Sequence, residues 1–227
     1  VLKIPFGNVY NEVLARKWYL QAEERKKGAE EWWKNTAFNW QKKARQLLED
    51  WSEGEQDRKI LVIYDPEGNH GKSVFCKKLQ DTNPDEIAYI KKSKVYNMRR
   101  LLKNYDNLKF CLFDYTRGDE NDDESLKFIE DLKDGVVQSN KNQSEMMRFP
   151  NIQLVVMTSR LLNYSTLAHN RWYIMELEGG IDQVAKIKLW DEKKIDTEYD
   201  IFRPEQCAKK RKLNPFHVPK KIRKGNM

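Results

Sequence analysis

What the sequence has little of narrows it first. Three cysteines occur among 227 residues, at Cys76, Cys111 and Cys207. They are far apart, odd in number and in no C-x-x-C pair, which argues against a zinc site or a disulfide framework and fits a reducing compartment. The three histidines, His70, His169 and His217, are just as scattered. No apolar run approaches the ~18 residues that a membrane span needs, and no signal peptide is visible, so no membrane partner is expected. The first residue is Val1 rather than Met. The chain therefore reads as a fragment or a processed product, with part of the function expected upstream.

What is present points to a folded, basic protein. Aromatics at 11 % and the hydrophobic set at 39 % are too many for wholesale disorder, and the length suffices for one good-sized core with smaller attachments. The net charge is +7 and the isoelectric point about 9.1. That balance suits a polyanion partner, nucleic acid or an anionic membrane face, or else a solvated surface rich in lysine.

Along the chain, Val9 to Trp51 reads as helical. Trp33, Ala37, Trp40, Ala44, Leu47 and Trp51 recur at three- and four-residue steps and form one apolar stripe. Lys26-Lys-Gly28 is expected to separate two helices, with Asn35 and Thr36 as a further break or cap. The stripe suits packing on the following domain as core, or self-association, and the reading leans to self-association. Short apolar strands are then expected at Lys59–Tyr64, Ile87–Ile90, Phe110–Phe113, Gln153–Met157 and Trp172–Leu177. Helices are expected from near Ser73, over Val95–Tyr105 and over Glu124–Asp134. Strands alternating with helices predict an α/β fold around a largely parallel sheet. The order weakens after Gly179. Residues 209–212 (Lys-Lys-Arg-Lys) and 219–224 (Pro-Lys-Lys-Ile-Arg-Lys) are basic clusters of the kind that bind nucleic acid or serve as nuclear-import addresses, or form a solvated tail.

The strongest local signal is Gly68-Asn-His-Gly-Lys-Ser73, set between a buried strand and a helix. Glycines let the backbone curl so that N–H groups face phosphate oxygens, and a helix N-terminus adds a favourable dipole. Lys72 would reach the β- and γ-phosphates of a nucleotide and the Ser73 hydroxyl would ligate Mg²⁺. The full P-loop pattern has another glycine six residues before the lysine, where Pro66 stands. Asp114, closing the strand Phe110–Phe113, fits the partner carboxylate on the metal side. A second acid commonly follows it, but here Tyr115 does, and Asp119 and Glu120 lie close in sequence.

Five segments in order resemble the helicase domain of replication-initiator (Rep) proteins from small circular single-stranded DNA viruses and related plasmids, which are superfamily 3 helicases of the AAA+ class. The likeness covers about Lys59–Leu177. It rests on the phosphate loop with its G-N-x-G-K-S form, on Phe113-Asp-Tyr-Thr-Arg117, on Lys133-Asp-Gly-Val-Val-Gln-Ser-Asn-Lys141, on Val155-Val-Met-Thr-Ser-Arg160 and on Leu167-Ala-His-Asn-Arg-Trp172. The third segment is similar to a hairpin loop over a central pore, implying that Lys133, Ser139 and Lys141 bind DNA. The fourth implies a γ-phosphate sensor, with Arg160 where the family has Asn, or a register one residue off. The fifth implies that Arg171 enters the neighbouring subunit's site as an arginine finger. Tyr115, Arg160 and Ala168 depart from the family pattern. A His pair such as the family's relaxase-like nuclease carries is absent, and that nuclease is expected ahead of this chain.

The resemblance thus implies an AAA+ P-loop ATPase with ATP and Mg²⁺ as cofactors, unwinding DNA during rolling-circle replication. It implies a ring, six copies being favoured, around single-stranded DNA in the host nucleus. The expected organisation is a helical oligomerisation domain at 1–51, the ATPase at 52–180 and a basic region at 181–227. Gly68, Asn69, His70, Gly71, Lys72 and Ser73 would bind nucleotide, Ser73 and Asp114 the metal, and Lys72, Asp114, Arg160 and Arg171 would serve catalysis. The rivals are an RNA-directed ATPase of the same superfamily and a nucleotide-gated assembly or nucleic-acid-binding protein with little hydrolysis.

Overall fold

The computed structural model describes residues 9–54, 58–115, 123–138, 146–149, 152–163, 167–179, 186–191 and 194–195. Two helices open it, α1 (Val9–Asn35) and α2 (Asn39–Glu53). The expected break at Lys26-Lys-Gly28 does not occur, because α1 runs straight through it. A glycine inside a helix costs only about 1 kcal/mol, and buried Ala29 and Trp33 hold the turns that follow. The chain breaks at Thr36–Phe38 instead, where Phe38 turns extended and its N–H donates to Gln41 Oε1 at 2.8 Å.

Next come β1 (Ile60–Tyr64), α3 (Lys72–Thr82), β2 (Ile87–Lys91), α4 (Val95–Leu102), β3 (Phe110–Asp114) and α5 (Asp123–Lys133). They are followed by β4 (Val136–Gln138), β5 (Met146–Arg148), β6 (Gln153–Thr158), β7 (Trp172–Glu178) and β8 (Lys186–Leu189). The six-stranded sheet has the order β2-β3-β6-β1-β7-β8. All its pairings are parallel except β7 with β8. All five expected strands are present in this mostly parallel α/β sheet. The edge strand β8 lies beyond residue 180, in a stretch where the sequence shows weakening order and predicts no strand. Its alternate residues are charged, and two of its four side chains are lysines.

Both faces of the sheet are covered, as near-continuous apolar strands require. Alternation along β1 sends Leu61 and Ile63 to one face and Ile60 and Val62 to the other. On the first face lie Trp33, Ala37, Trp40, Ala44, Leu48 and Trp51, together with Phe75 and Leu79 of α3. The tryptophan stripe is therefore buried against the sheet as core, and Leu48 rather than Leu47 is its fully buried leucine. The α1 residues Trp18, Tyr19 and Leu20 are exposed. On the second face α4 contributes Val95, Met98 and Leu102, and α5 contributes Leu126, Phe128, Ile129 and Leu132. Cys76 and Cys111 are buried and free.

Candidate functional site

The carboxyl ends of β1, β6 and β3 finish level with one another, Tyr64 opposite Thr158 and Met157 opposite Asp114. In open α/β sheets that end of the strands is where ligands bind. Period-two alternation puts Asp114 on the same face as Leu112, the face that α3 covers. As a result α3 starts directly against Asp114, and Ser73 Oγ donates to Asp114 Oδ2 at 3.1 Å.

The loop between β1 and α3 winds tightly. Gly68, Asn69 and Gly71 all have left-handed backbones, with φ of 80°, 65° and 79°. Glycine carries that conformation without penalty and asparagine at small cost. Successive turns of this kind point backbone N–H groups into one concavity, which suits an anion. The N–H groups of Asn69–Ser73 have no acceptor among the described residues.

Lys72 sits at the first turn of α3, and its Nζ donates to Asp65 Oδ2 at 2.7 Å and to Ser159 Oγ at 2.9 Å. Asp65 is fully buried. Its other oxygen accepts the Gly68 N–H at 2.8 Å and lies 2.8 Å from His70 Nδ1. His70 Nε2 in turn donates to the Gly179 carbonyl at 2.6 Å, tying the loop to the end of β7. Burial pushes the Asp65 carboxyl up, but hydrogen bonds from Lys72 and His70, the Lys72 charge and the Gly68 N–H outweigh it. The net result lies below the usual carboxylate range.

On the metal side, Tyr89 of β2 donates its hydroxyl to Asp114 Oδ2 at 2.6 Å. Burial first, and then that hydrogen bond, hold the Tyr89 hydroxyl protonated well above its ordinary range. Ser73 Oγ and the Asp114 carboxylate form a hard-oxygen pair of the sort Mg²⁺ takes along with water and phosphate oxygens. No group of three or more His, Cys, Asp or Glu residues poised for a metal occurs among the described residues. A Mg²⁺ here would therefore depend on phosphate and water for most of its shell.

The remaining expected residues are spread out. Arg160 is exposed, and its backbone N–H and carbonyl both bond to Thr158 Oγ1. The polar side chain that reaches Lys72 is Ser159, one position earlier. Arg171 precedes Trp172, which pairs with Ile60 at the opposite end of β1 from the loop. That is roughly 13 Å from the loop along the strand at ~3.3 Å per residue. The Arg171 guanidinium pairs with Asp134 at 3.0 Å. Lys133 corrects the sequence reading. It is 8 % exposed, and its Nζ donates to the Ile152 carbonyl at 2.9 Å and to Gln153 Oε1 at 3.2 Å. A buried, satisfied ammonium does not face a DNA backbone. Ser139 and Lys141 lie outside the described residues, as do Arg117, Asp119, Glu120 and the basic clusters at 209–212 and 219–224. The strands β4 and β5 that flank residues 139–145 form an antiparallel pair. Tyr115 packs into the second-face core.

Sequence reasoning missed Asp65, Tyr89 and Ser159. Asp65 left a trace, an acid immediately ahead of a loop that is built for anions. Tyr89 left none, since an aromatic in a strand reads as packing.

No family model matches the chain. It is 26 % identical over 170 residues to the Master replication protein of Subterranean clover stunt virus (strain F), covering 74 % of this chain and 55 % of that protein. It is 26 % identical over 151 residues to the Master replication protein of Faba bean necrotic yellows virus (isolate Syrian SV292-88), covering 66 % and 49 %. It is 28 % identical over 173 residues to Para-Rep C6 of Subterranean clover stunt C6 alphasatellite, covering 75 % and 56 %. The chain spans about half the length of these curated relatives. Over most of its length, then, this mostly parallel α/β chain is similar to viral replication proteins.

Proposed function

We propose that this chain is the motor portion of a viral or plasmid replication initiator, a superfamily 3 AAA+ helicase that binds ATP with Mg²⁺ and unwinds DNA in rolling-circle replication. The observation that carries the reading is the meeting of Lys72, Ser73 and Asp114 at the carboxyl ends of parallel strands, with Ser73 Oγ 3.1 Å from Asp114. A curled loop with unsatisfied N–H groups beside that meeting point suits a triphosphate. The similarity to proteins named for replication supports the role.

In this reading residues 68–73 cradle the phosphates, and Lys72 leaves Asp65 to meet the terminal ones. Ser73 and Asp114 hold Mg²⁺, which supplies charge neutralisation at the reacting phosphoryl group. Ser159, close to Lys72, takes the polar contact assigned by sequence to Arg160. Arg171, at the far end of the sheet, leaves Asp134 to complete the site of the next subunit in a ring, six copies being favoured. The exposed Trp18, Tyr19 and Leu20 of α1 supply apolar surface for such association. Ser139 and Lys141, between β4 and β5, follow single-stranded DNA. A nuclear location and an endonuclease elsewhere in the full-length protein belong to the same proposal.

A second reading, a nucleotide-gated assembly protein with little hydrolysis, draws support from the buried Asp65–Lys72 pair and from Tyr115 beside Asp114. The test is ATP turnover and strand separation, measured with single-stranded DNA, with RNA and with neither. Turnover stimulated by DNA together with unwinding of a forked DNA duplex is expected. Stimulation by RNA alone moves the substrate class, and binding without turnover on either polymer favours the second reading.

A further inference from the structure

The phosphate loop is held from behind by α2. Trp40 Nε1 donates to the His70 carbonyl at 3.0 Å, and Gln41 Nε2 donates to the Gly71 carbonyl at 3.1 Å. Both donors are buried residues. The contact is close enough that a Cβ on Gly71 would lie 3.0 Å from Gln41 Nε2. Gln41 also accepts the Phe38 N–H, so the side chain that starts α2 is the one that reaches the loop.

Planar trans peptides give these bonds a consequence. In each peptide unit the C=O and the next residue's N–H point in opposite directions. A His70 carbonyl held toward α2 aims the Gly71 N–H away from α2, into the loop's concavity. A Gly71 carbonyl held the same way aims the Lys72 N–H. Gly71 O already accepts the Phe75 N–H at 2.9 Å as the first bond of α3, so Gln41 is its second donor. For His70 O, Trp40 is the only donor among the described residues. Left-handed, glycine-rich backbone is the part of the chain most prone to flip peptide planes, so an external anchor has something to fix.

We propose that Trp40 and Gln41 are positioning residues that pre-set the N–H groups of the phosphate loop, making the helical segment part of the nucleotide site. This rests on the nucleotide-binding reading given above. Removing one such anchor forfeits a neutral hydrogen bond whose net worth corresponds to about a fivefold change in affinity.

The experiment is titration of ATP·Mg²⁺, and separately of inorganic pyrophosphate, into the wild type and into Trp40→Phe, Gln41→Glu, Gln41→Leu and Lys72→Ala. Melting of each free protein is recorded as well. Gln41→Glu keeps the acceptor for Phe38 while removing the donor but adds a charge beside an anion site, so the uncharged Gln41→Leu decides the matter if Trp40→Phe proves poorly folded. For the Trp40 and Gln41 variants the expected result is a loss of about fivefold or more in affinity for both probes with the wild-type melting transition retained, and KM raised while kcat stays within about twofold; Lys72→Ala is expected to lose binding of both probes. Wild-type pyrophosphate affinity in folded Gln41→Leu overturns the proposal. If the wild type binds neither probe, or Lys72→Ala binds both as well as wild type does, the nucleotide reading itself fails and the proposal falls with it.

Discussion

Lys72 and Asp65 form an ion pair of 2.7 Å at the mouth of the phosphate loop, with the carboxylate fully buried and the ammonium 11 % exposed. The same carboxylate holds Gly68 and His70. In effect one buried acid occupies the loop's cation and one of its N–H groups. A phosphate arriving at Lys72 competes with that acid. Asp65→Asn is expected to lower the melting temperature, because breaking a buried pair strands the remaining charge at a cost of about 3 kcal/mol. The same variant should gain more thermal stabilisation from added pyrophosphate than the wild type does. Equal stabilisation of the two would show that Asp65 does not compete with anions.

The depressed Asp65 carboxyl carries a pH signature. Its folded value lies below its unfolded one, so the stability it contributes is fully present above the unfolded value of about 3.9 and is lost as pH falls through the folded value. Denaturant titrations between pH 2 and 6 should therefore show a shallower acid limb in Asp65→Asn than in the wild type. An unchanged limb would mean that Asp65 is unpaired in solution.

Tyr89 and Ser73 both donate to Asp114 Oδ2, at 2.6 and 3.1 Å. If Asp114 serves Mg²⁺, Tyr89 fixes its rotamer. Tyr89→Phe is expected to raise the Mg²⁺ concentration for half-maximal ATP turnover severalfold, while nucleotide binding without metal stays as in the wild type. Parallel weakening with and without Mg²⁺ would count against a metal-side role.

Trp51 is 5 % exposed and meets Tyr173 of β7 edge-on at 5.3 Å between ring centroids. Trp51→Ala should cost about 3 kcal/mol of unfolding free energy, as truncation of a large core side chain does. A stripe kept for self-association would instead leave the subunit's stability intact and alter assembly alone, which sedimentation at several concentrations separates from unfolding.

Lys133 is bonded to the Ile152 carbonyl and Gln153 inside the fold. Lys133→Ala is therefore expected to lose stability by about 1–3 kcal/mol and to keep its salt dependence of single-stranded DNA binding. A slope shallower by nearly one charge would restore Lys133 to the nucleic-acid surface.

The parallel sheet was legible because its strands are short apolar runs set between helical stretches, as at Ile60–Tyr64 and Gln153–Thr158. The loop at 68–73 was legible because its glycines and its Lys-Ser pair obey local rules. What stayed hidden depended on contacts distant in sequence. Whether the tryptophan stripe met the sheet or another chain turns on burial, which periodicity alone does not settle. Gly28 looked like a break because local propensity knows nothing of the packing around Ala29 and Trp33. The inward turn of Lys133 at the end of α5 depends on partners at Ile152 and Gln153, and the choice of Ser159 over Arg160 hangs on one residue of register at a strand end. The grip of Trp40 and Gln41 on the loop joins residues thirty apart.

The central claim is that the loop at Lys72 binds a nucleotide and that Asp114 serves its metal. ATP turnover with bound nucleotide measured in parallel, for the wild type, Lys72→Ala and Asp114→Asn, tests it most directly. The account predicts turnover by the wild type, loss of both binding and turnover in Lys72→Ala, and turnover lost with binding largely kept in Asp114→Asn. Wild-type binding and turnover in a folded Lys72→Ala protein would contradict it.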